Sequence, residues 1–580
     1  MHNRSLIATF FFSGRSPEGG LITELSLVII LLLILAPLAG TYIARVIQGE
    51  RTMLHPLFGW LERLCYKVSG IDSQQEMPWQ TYTKTLVIFN VIGFIALFLL
   101  LLLQGVLPLN PQNFAGVSWP LAFNITSSFT TNTNWQSYTP ESTLSYLSQM
   151  LGLAVQNFLS AATGGCALIA LIRGLTRKTC ATIGNFWTDL VRQIVYLLLP
   201  LSIIMALFLV YTGSVQSFSP YVEVETMEGA KQTIPLGPCA SQVAIKQLGT
   251  NGGGFFGANS AHPYENPSSW SNFLEHFAIL FIPAALVFTY GHMIGSNKHG
   301  WLLFGVMMVV WLIGLGISFY SEHTYNPILG TNSVLEGKET RCGIKESTLW
   351  TVSTTCTANG SNNAMISSLS PLAEAIPMLN IMLGELIFGG VGVGMCSMIM
   401  FVLLTIFLAG LMIGRTPEYF GKKIEKAEMR WVAIAVLLPG VLILIGSGIS
   451  AILPIATSSL STSGPHGLSE LVYAFTSCTG NNGSGFGGIS ANTNYFNIIL
   501  GFIMLLGRAT VIFPSLAVAG LLAQKKTIPP SSGTFSADTL LFSVLLFFTI
   551  LLIGALSFSP VQILGPIVEH LLMKLNHGMP

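Results

Sequence analysis

Thr250-Asn251-Gly252-Gly253 lies between two long apolar runs, and the same pattern occurs three more times in the chain: Thr131-Asn132-Thr133-Asn134, Ala358-Asn359-Gly360-Ser361 and Asn481-Asn482-Gly483-Ser484. A short, moderately apolar segment precedes each one, at 241–248 for the first quoted and at 119–129, 347–355 and 470–477 for the others. These segments are too short to cross a bilayer, whereas the runs flanking each unit are long enough. A short helix that enters and a polar stretch that turns back make a re-entrant hairpin. Non-helical backbone at membrane depth is tolerated only where protein or a water-filled cavity covers it. One such stretch alone would be ordinary turn chemistry. Four in the same register predict a pseudo-fourfold arrangement of hairpins around one centre.

Such a ring suits a bare monovalent cation. Backbone carbonyls aimed at an axis replace the lost hydration shell without adding a countercharge that would trap the ion. Aiming successive carbonyls one way requires φ > 0 at some positions, which Gly adopts readily and Asn more often than most residues. Gly252, Gly360 and Gly483 are expected in that role. Loop one has Thr133 or Asn134 where the others have Gly, so the ring should be asymmetric, with Thr and Asn side-chain oxygens as possible further ligands. No carboxylate sits in the four stretches, which favours K⁺ or Na⁺ over Ca²⁺ or Mg²⁺. Gly252 to Gly257 and Gly483 to Gly488 both match G-x-G-x-x-G, but neither follows a strand in a βαβ unit, so neither is a nucleotide-binding loop.

Composition places all of this in a membrane. Of the 580 residues, 51% are hydrophobic and only 9% charged, against about 25% charged in soluble domains. Ten spans are predicted, near 22–46, 83–108, 144–172, 191–212, 271–294, 301–320, 376–413, 431–454, 495–523 and 538–558. The seventh is too long for one straight helix and carries Gly384, Gly389, Gly390, Gly392 and Gly394, so a break midway is expected. The fold class is an all-α polytopic membrane protein: four pseudo-symmetric helix–re-entrant loop–helix repeats plus one extra helix at each end. The expected organisation is an N-terminal extension (1–20, not a signal peptide), a first transmembrane helix and loop (21–82), repeats at 83–173, 190–295, 300–414 and 430–524, and a final helix with the C-terminus (537–580).

Lys and Arg set the orientation. The loops after spans one, three, five, seven and nine, with their flanks, hold 17 of the 26 basic residues, among them Arg45, Arg173, Lys298, Lys422 and Lys525. Those loops should be cytoplasmic, both termini external, and the four polar stretches open to the outside.

Glu385 beside the glycine run and Arg508 in the ninth span are charges at membrane depth, where a charge needs a partner or a wet cavity. They are expected close together below the ring, controlling passage, with a purely structural ion pair as the plainer alternative. The acids of the outer loops, such as Glu223, Glu265, Glu322 and Glu470, are offset by Lys246 and Lys338 and suggest a solvated surface. Cys342 and Cys356 lie in one loop region and could pair if it faces an oxidising compartment. None of the three aspartates (Asp72, Asp189 and Asp538) precedes Lys-Thr, and no Walker motif is present, so no ATP-hydrolysing site is expected in this chain. A net charge of +1 argues against a nucleic-acid partner.

Over roughly 21–580 the sequence resembles the KdpA family, the potassium-translocating subunits of the bacterial Kdp K⁺-transporting ATPase. The most specific stretches are 130–136, 248–263 and 414–424, the last reading Gly414-Arg415-Thr416-Pro417-Glu418-Tyr419-Phe420-Gly421-Lys422-Lys423-Ile424. The resemblance implies M1-P-M2 units of the superfamily of K⁺ transporters in a bacterial inner membrane. It implies no cofactor in this chain, and assembly with KdpB (which would use ATP and Mg²⁺), KdpC and KdpF. It implies K⁺ capture in an external filter, then passage through an intramembrane tunnel to the ATPase subunit. The family's filter glycines fall on Gly252, Gly360 and Gly483, its polar first-loop residues on Asn132 and Asn134, an affinity-linked position on Gln136, and its charged positions on Glu385 and Arg508. Asn359 and Gly480 depart from the family pattern. The rival is a stand-alone Trk/Ktr-type K⁺ translocation subunit driven by the membrane potential.

Overall fold

The computed structural model describes residues 17–332, 334–414, 416–529 and 535–575. Most of the expected N-terminal extension, together with Arg415 and the last five residues, lies outside them. Among the described residues, ten helices are long and apolar enough to cross a membrane: Thr23–Gln48, Trp79–Val106, Ser148–Thr176, Phe186–Thr212, Ser269–Met293, Asn297–Glu322, Val393–Met412, Lys426–Ile452, Asn494–Ala523 and Leu540–Lys574. They are spans one to ten below. Spans three and five lie inside the bundle. Span two presents Ile88, Val91, Ile92 and Ile95 outward, and span ten presents Phe548, Leu552 and Leu556. An apolar belt of this kind suits hydrocarbon and would be a liability in water.

The seventh segment is broken as expected. A helix Pro371–Met382 ends at Leu383, and span seven starts only at Val393. Between them Gly384, Glu385, Phe388, Gly389 and Gly392 all have positive φ. The final helix runs further than expected, because Pro560 and Pro566 bend it through a π-turn at Ile563–Ile567 without ending it. A membrane helix absorbs such breaks because neighbouring groups satisfy the freed backbone.

The four half-helices are Trp119–Thr130, Cys239–Leu248, Gly343–Cys356 and Gly464–Gly480. The fourth begins six residues before the expected start, since Pro465 sits in its first turn, where a missing N–H does no harm. Cys342 and Cys356 flank the third half-helix and are therefore about 20 Å apart along its axis, so they cannot pair; both are free thiols. The all-α class holds, and the connections add three two-stranded sheets: two hairpins, Val222–Glu225 with Lys231–Ile234 and Glu418–Tyr419 with Lys422–Lys423, and one long-range pair.

The five loops expected to be cytoplasmic meet on one face. Met77–Pro78 pairs with Thr182–Gly184. Ile528 N donates to Gly421 O (2.7 Å), and Thr179 N to Lys525 O (3.2 Å). Lys422 Nζ donates to the carbonyls of Gly174 (2.8 Å) and Leu522 (2.7 Å) as well as to Arg177 O.

Candidate functional site: the ring of four loops

Each half-helix ends in the same turn. A left-handed residue follows the cap in the first three, Asn132 (φ +67°), Thr250 (+51°) and Ala358 (+51°), and is the cap itself in the fourth, Asn481 (+60°). Two residues later Asn134 (+57°), Gly360 (+85°) and Gly483 (+89°) are left-handed again. This alternation turns successive peptide planes to one side, as a column of carbonyl ligands requires. Gly252 corrects the expectation: it occupies this second position but is not left-handed. Asn359 shares a slot with Asn251 and Asn482. Gly480 is the last residue of its half-helix, at a place where a Cβ would press on Ile381.

Close packing explains Gly252. A Cβ there would collide with Asn359 O of loop three. A Cβ on Gly360 would collide with Asn482 O of loop four, and one on Gly483 with Thr133 O of loop one. Each glycine thus admits the backbone of the next loop, in one rotational sense. The circuit closes at Asn134, which does carry a Cβ. Here loop two gives way with Gly253, where an added Cβ would lie 3.2 Å from that of Asn134. The expected asymmetry is therefore an exchange of side-chain volume between Asn134 and Gly253.

Side-chain amides tie the loops together. Asn132 Nδ2 donates to Thr250 O (2.8 Å), Asn359 Nδ2 to Asn251 O (3.3 Å), Asn482 Nδ2 to Thr354 O (3.0 Å) and Asn481 Nδ2 to Thr133 Oγ1 (2.9 Å). Asn359 Oδ1 and Asn482 Oδ1 accept from the N–H groups of Ser361 (2.9 Å) and Ser484 (3.1 Å). Thr131 Oγ1 donates back to Ser127 O (2.7 Å). These side-chain groups brace the turns, while Asn134 Oδ1 is buried and accepts no hydrogen bond. Gln136 is a strut too: Oε1 accepts from Gly254 N (3.0 Å) and Nε2 donates to Gly254 O (3.2 Å).

Sequence reasoning missed the residues behind the ring. Ser160 Oγ donates to Asn132 Oδ1 (2.9 Å), and Asn134 Nδ2 donates to Asn157 Oδ1. Trp350 Nε1 donates to Ser361 O (2.8 Å), and the Tyr473 hydroxyl shares a hydrogen bond with Ser484 Oγ (2.6 Å). Trp350 and Tyr473 each stand eleven positions before the serine they hold. That shared offset between repeats is the signal that would have found them. Lys246 and Glu265, expected on a solvated surface, are instead a buried pair under loop two, where Glu265 Oε1 also accepts from Phe256 N (2.9 Å). Glu322 and Lys338 pair likewise. At the rim Glu141 accepts from Gly257 N (2.7 Å), and burial raises its carboxyl above the usual range.

All four half-helix C-termini meet at the ring, each presenting the negative end of its dipole to an ion there. Above it a funnel of about 530 Å³ is lined from all four loops, by Asn134, Gln136, Ala258, Gly360, Gly483 and Phe486 among others. Below it, residues 383–392 pack against the turns: Gly389 N donates to Cys356 O (3.0 Å) and Val391 N to Thr250 Oγ1 (2.9 Å). Glu385 is buried there, and its Oε1 would lie 3.6 Å from a Cβ on Gly480. Arg508 Nη2 donates to Ser160 O (2.9 Å). Both charges sit at the base of the ring, but no ion pair joins them among the described residues: Arg508 is held by Ser160, and Glu385 Oε1 is buried without a hydrogen-bond partner.

A family model described as Potassium-transporting ATPase A subunit, KdpA, matches residues 26–571. A curated relative from Pseudomonas syringae pv. tomato, named potassium-transporting ATPase potassium-binding subunit, is 52% identical over 548 residues, covering 94% of this chain and 97% of its own. One from Leptospira interrogans with the same name is 52% identical over 555 residues, covering 95% and 98%. Among solved structures, the crystal structure of the potassium transporter TrkH from Vibrio parahaemolyticus aligns with a TM-score of 0.50 at 14% identity, covering 83% of this chain and 96% of that one. At that identity the likeness is one of fold.

Proposed function

The chain belongs to the KdpA family of potassium-transporting ATPase A subunits, and we propose that it captures external K⁺ in the ring of the four loops and hands it to an ATP-hydrolysing partner. One observation carries this: the cyclic packing of Gly252, Gly360 and Gly483 on the next loop's carbonyl, completed by Asn134 and Gly253. That packing fixes the spacing of a carbonyl ring with no carboxylate in it, suited to a weakly hydrated monovalent ion. The ligands are the backbone carbonyls of 131–134, 250–253, 358–361 and 481–484. Gln136 holds loops one and two in register.

Residues 383–392 obstruct a straight path beneath the ring, so an ion that enters has to leave sideways, toward a partner in the membrane. Glu385 attracts it at the base, and Arg508 makes the way back unfavourable. The partners are KdpB with the ATPase chemistry, KdpC and KdpF. The complex lies in a bacterial inner membrane with the funnel and both termini outside. The family match over nearly the full length favours this over a stand-alone Trk-type subunit.

The test is K⁺ titration of the purified chain in a choline buffer. Saturable binding, displaced by Rb⁺ more readily than by Na⁺, is expected, with no ATP hydrolysis until the partner is added. Absence of saturable K⁺ binding would falsify the assignment of the ring. K⁺-stimulated ATPase activity of the isolated chain would refute the division of labour.

A further inference from the structure

We infer that Glu374, His466 and Glu569 form a binding site for one divalent metal ion of the Zn²⁺ or Mn²⁺ class, separate from the potassium ring. Three elements bring them together. Glu374 lies in the first turn of Pro371–Met382, His466 in the first turn of the fourth half-helix, and Glu569 in the closing helix Val568–Lys574. His466 Nδ1 stands 3.1 Å from Glu569 Oε1 and 3.9 Å from Glu374 Oε2, and one ligand atom from each residue lies within 4.8 Å of the other two. Metal–ligand bonds of about 2.0–2.2 Å place neighbouring ligands of a tetrahedral ion about 3.3–3.6 Å apart. Small side-chain movements close the set.

The second observation is the state of Glu374. Its side chain is fully buried, and neither carboxylate oxygen accepts a hydrogen bond. A buried carboxylate without a donor is a poor ion on its own. The nearby charges are already engaged. Glu322 pairs with Lys338 (2.9 Å) and accepts from Ser370 N (2.5 Å), while Glu470 accepts from Ser461 N (3.0 Å) and Thr462 Oγ1 (3.1 Å). Two carboxylates therefore face one imidazole, and a divalent cation supplies the missing charge. The mixed oxygen and imidazole donors suit Zn²⁺ or Mn²⁺ better than Mg²⁺ or Ca²⁺, which prefer all-oxygen shells. Three protein ligands leave a fourth position for water. A cavity of about 390 Å³, lined in part by Ser370, Pro371 and Glu569, gives an entry path.

Occupancy would clamp the end of the tenth span to the half-helix that carries loop four. The His466 ring also lies 5.3 Å from that of Phe486, just beyond the loop, so the clamp adjoins the funnel.

The test uses the full chain, stripped with a chelator and then given ZnCl₂ or MnCl₂. Expected are about one metal ion per chain after desalting and a metal-dependent rise in the midpoint of thermal unfolding. Glu374→Gln and His466→Gln should each weaken metal affinity at least about tenfold, the scale seen even for supporting residues of metal sites. Should either variant fold poorly, the wild-type chain decides alone. If it retains no metal and its midpoint does not move with about a hundredfold excess of either salt, then Glu374 and Glu569 share a proton and the metal assignment is wrong. A Glu374→Gln chain that binds metal as tightly as wild type would overturn it as well.

Discussion

At the scale of the residue, the ring rests on missing Cβ atoms more than on permissive φ. Gly252 shows this most clearly, since its φ is not left-handed and the backbone of Asn359 and Gly360 forbids a side chain. Gly252→Asp should therefore lower apparent K⁺ affinity and weaken discrimination against Rb⁺ and NH₄⁺. The carboxylate pushes loops two and three apart and adds a trapping charge. Overpacking a tight site costs about 1–3 kcal/mol, so a loss of roughly fivefold to 150-fold in K⁺ affinity is expected. Gly485, just beyond Ser484 of loop four, has open space where its Cβ would go, and Gly485→Ala should leave the K⁺ binding curve in place. Equal curves for wild type and Gly252→Asp would refute the packing account. The candidate ligands were legible because their residue types are unusual in an apolar chain. The partner of each glycine was not, because the contact joins loops more than a hundred positions apart. The choice between Thr133 and Asn134 as the first loop's counterpart likewise needed the backbone angles.

At the scale of the element, each half-helix does two jobs: it points a negative dipole end at the ring, and it carries the side chain that backs the following loop. Trp350 and Tyr473 perform the second job in loops three and four. Trp350→Phe and Tyr473→Phe keep the aromatic volume and remove one hydrogen bond each, worth about 0.5–1.5 kcal/mol net. Each should weaken K⁺ affinity by roughly threefold to tenfold without unfolding the chain, as read by K⁺ titration beside thermal unfolding. An unchanged titration for both would mean that the loops hold their shape without this support. The Lys246–Glu265 pair is a different matter, because removing one partner strands a buried charge. Lys246→Met should destabilise the protein by about 3–5 kcal/mol, visible as an early unfolding transition in detergent; an unshifted transition would show that Glu265 has another source of charge. Span and half-helix positions were readable from length and hydropathy, since bilayer thickness fixes one and its shortfall marks the other. The early start of the fourth half-helix and the long tenth span were not, because proline looks like a terminator in sequence. In a packed membrane protein it starts a helix or merely bends one.

At the scale of the whole molecule, binding and cohesion sit on opposite faces. The ring, funnel and half-helices occupy one, and the loops expected in the cytoplasm are knotted together on the other. Positive charge marked that second face in the sequence as a matter of topology, yet the structure gives one of those charges a mechanical role. Lys422 is wholly buried and donates to carbonyls at the ends of spans three and nine and at Arg177, drawing together segments far apart in the chain. Nothing in a run of basic loop residues distinguishes a lysine that orients a protein from one that fastens it, so this role could not be read in advance. The Glu374–His466–Glu569 cluster was hidden for the same reason, as its members come from three distant segments with no spacing motif. Lys422→Met retains the length of the side chain and leaves up to three carbonyls without their donor, at about 1–3 kcal/mol for each one that water cannot reach. The midpoint of thermal unfolding should fall. The apparent K⁺ affinity of the folded fraction should stay within about twofold, because no contact of the ring passes through that face. A K⁺ affinity that fell in step with stability would show that the two faces are coupled, and that the loops around Lys422 help to shape the ring they stand so far below.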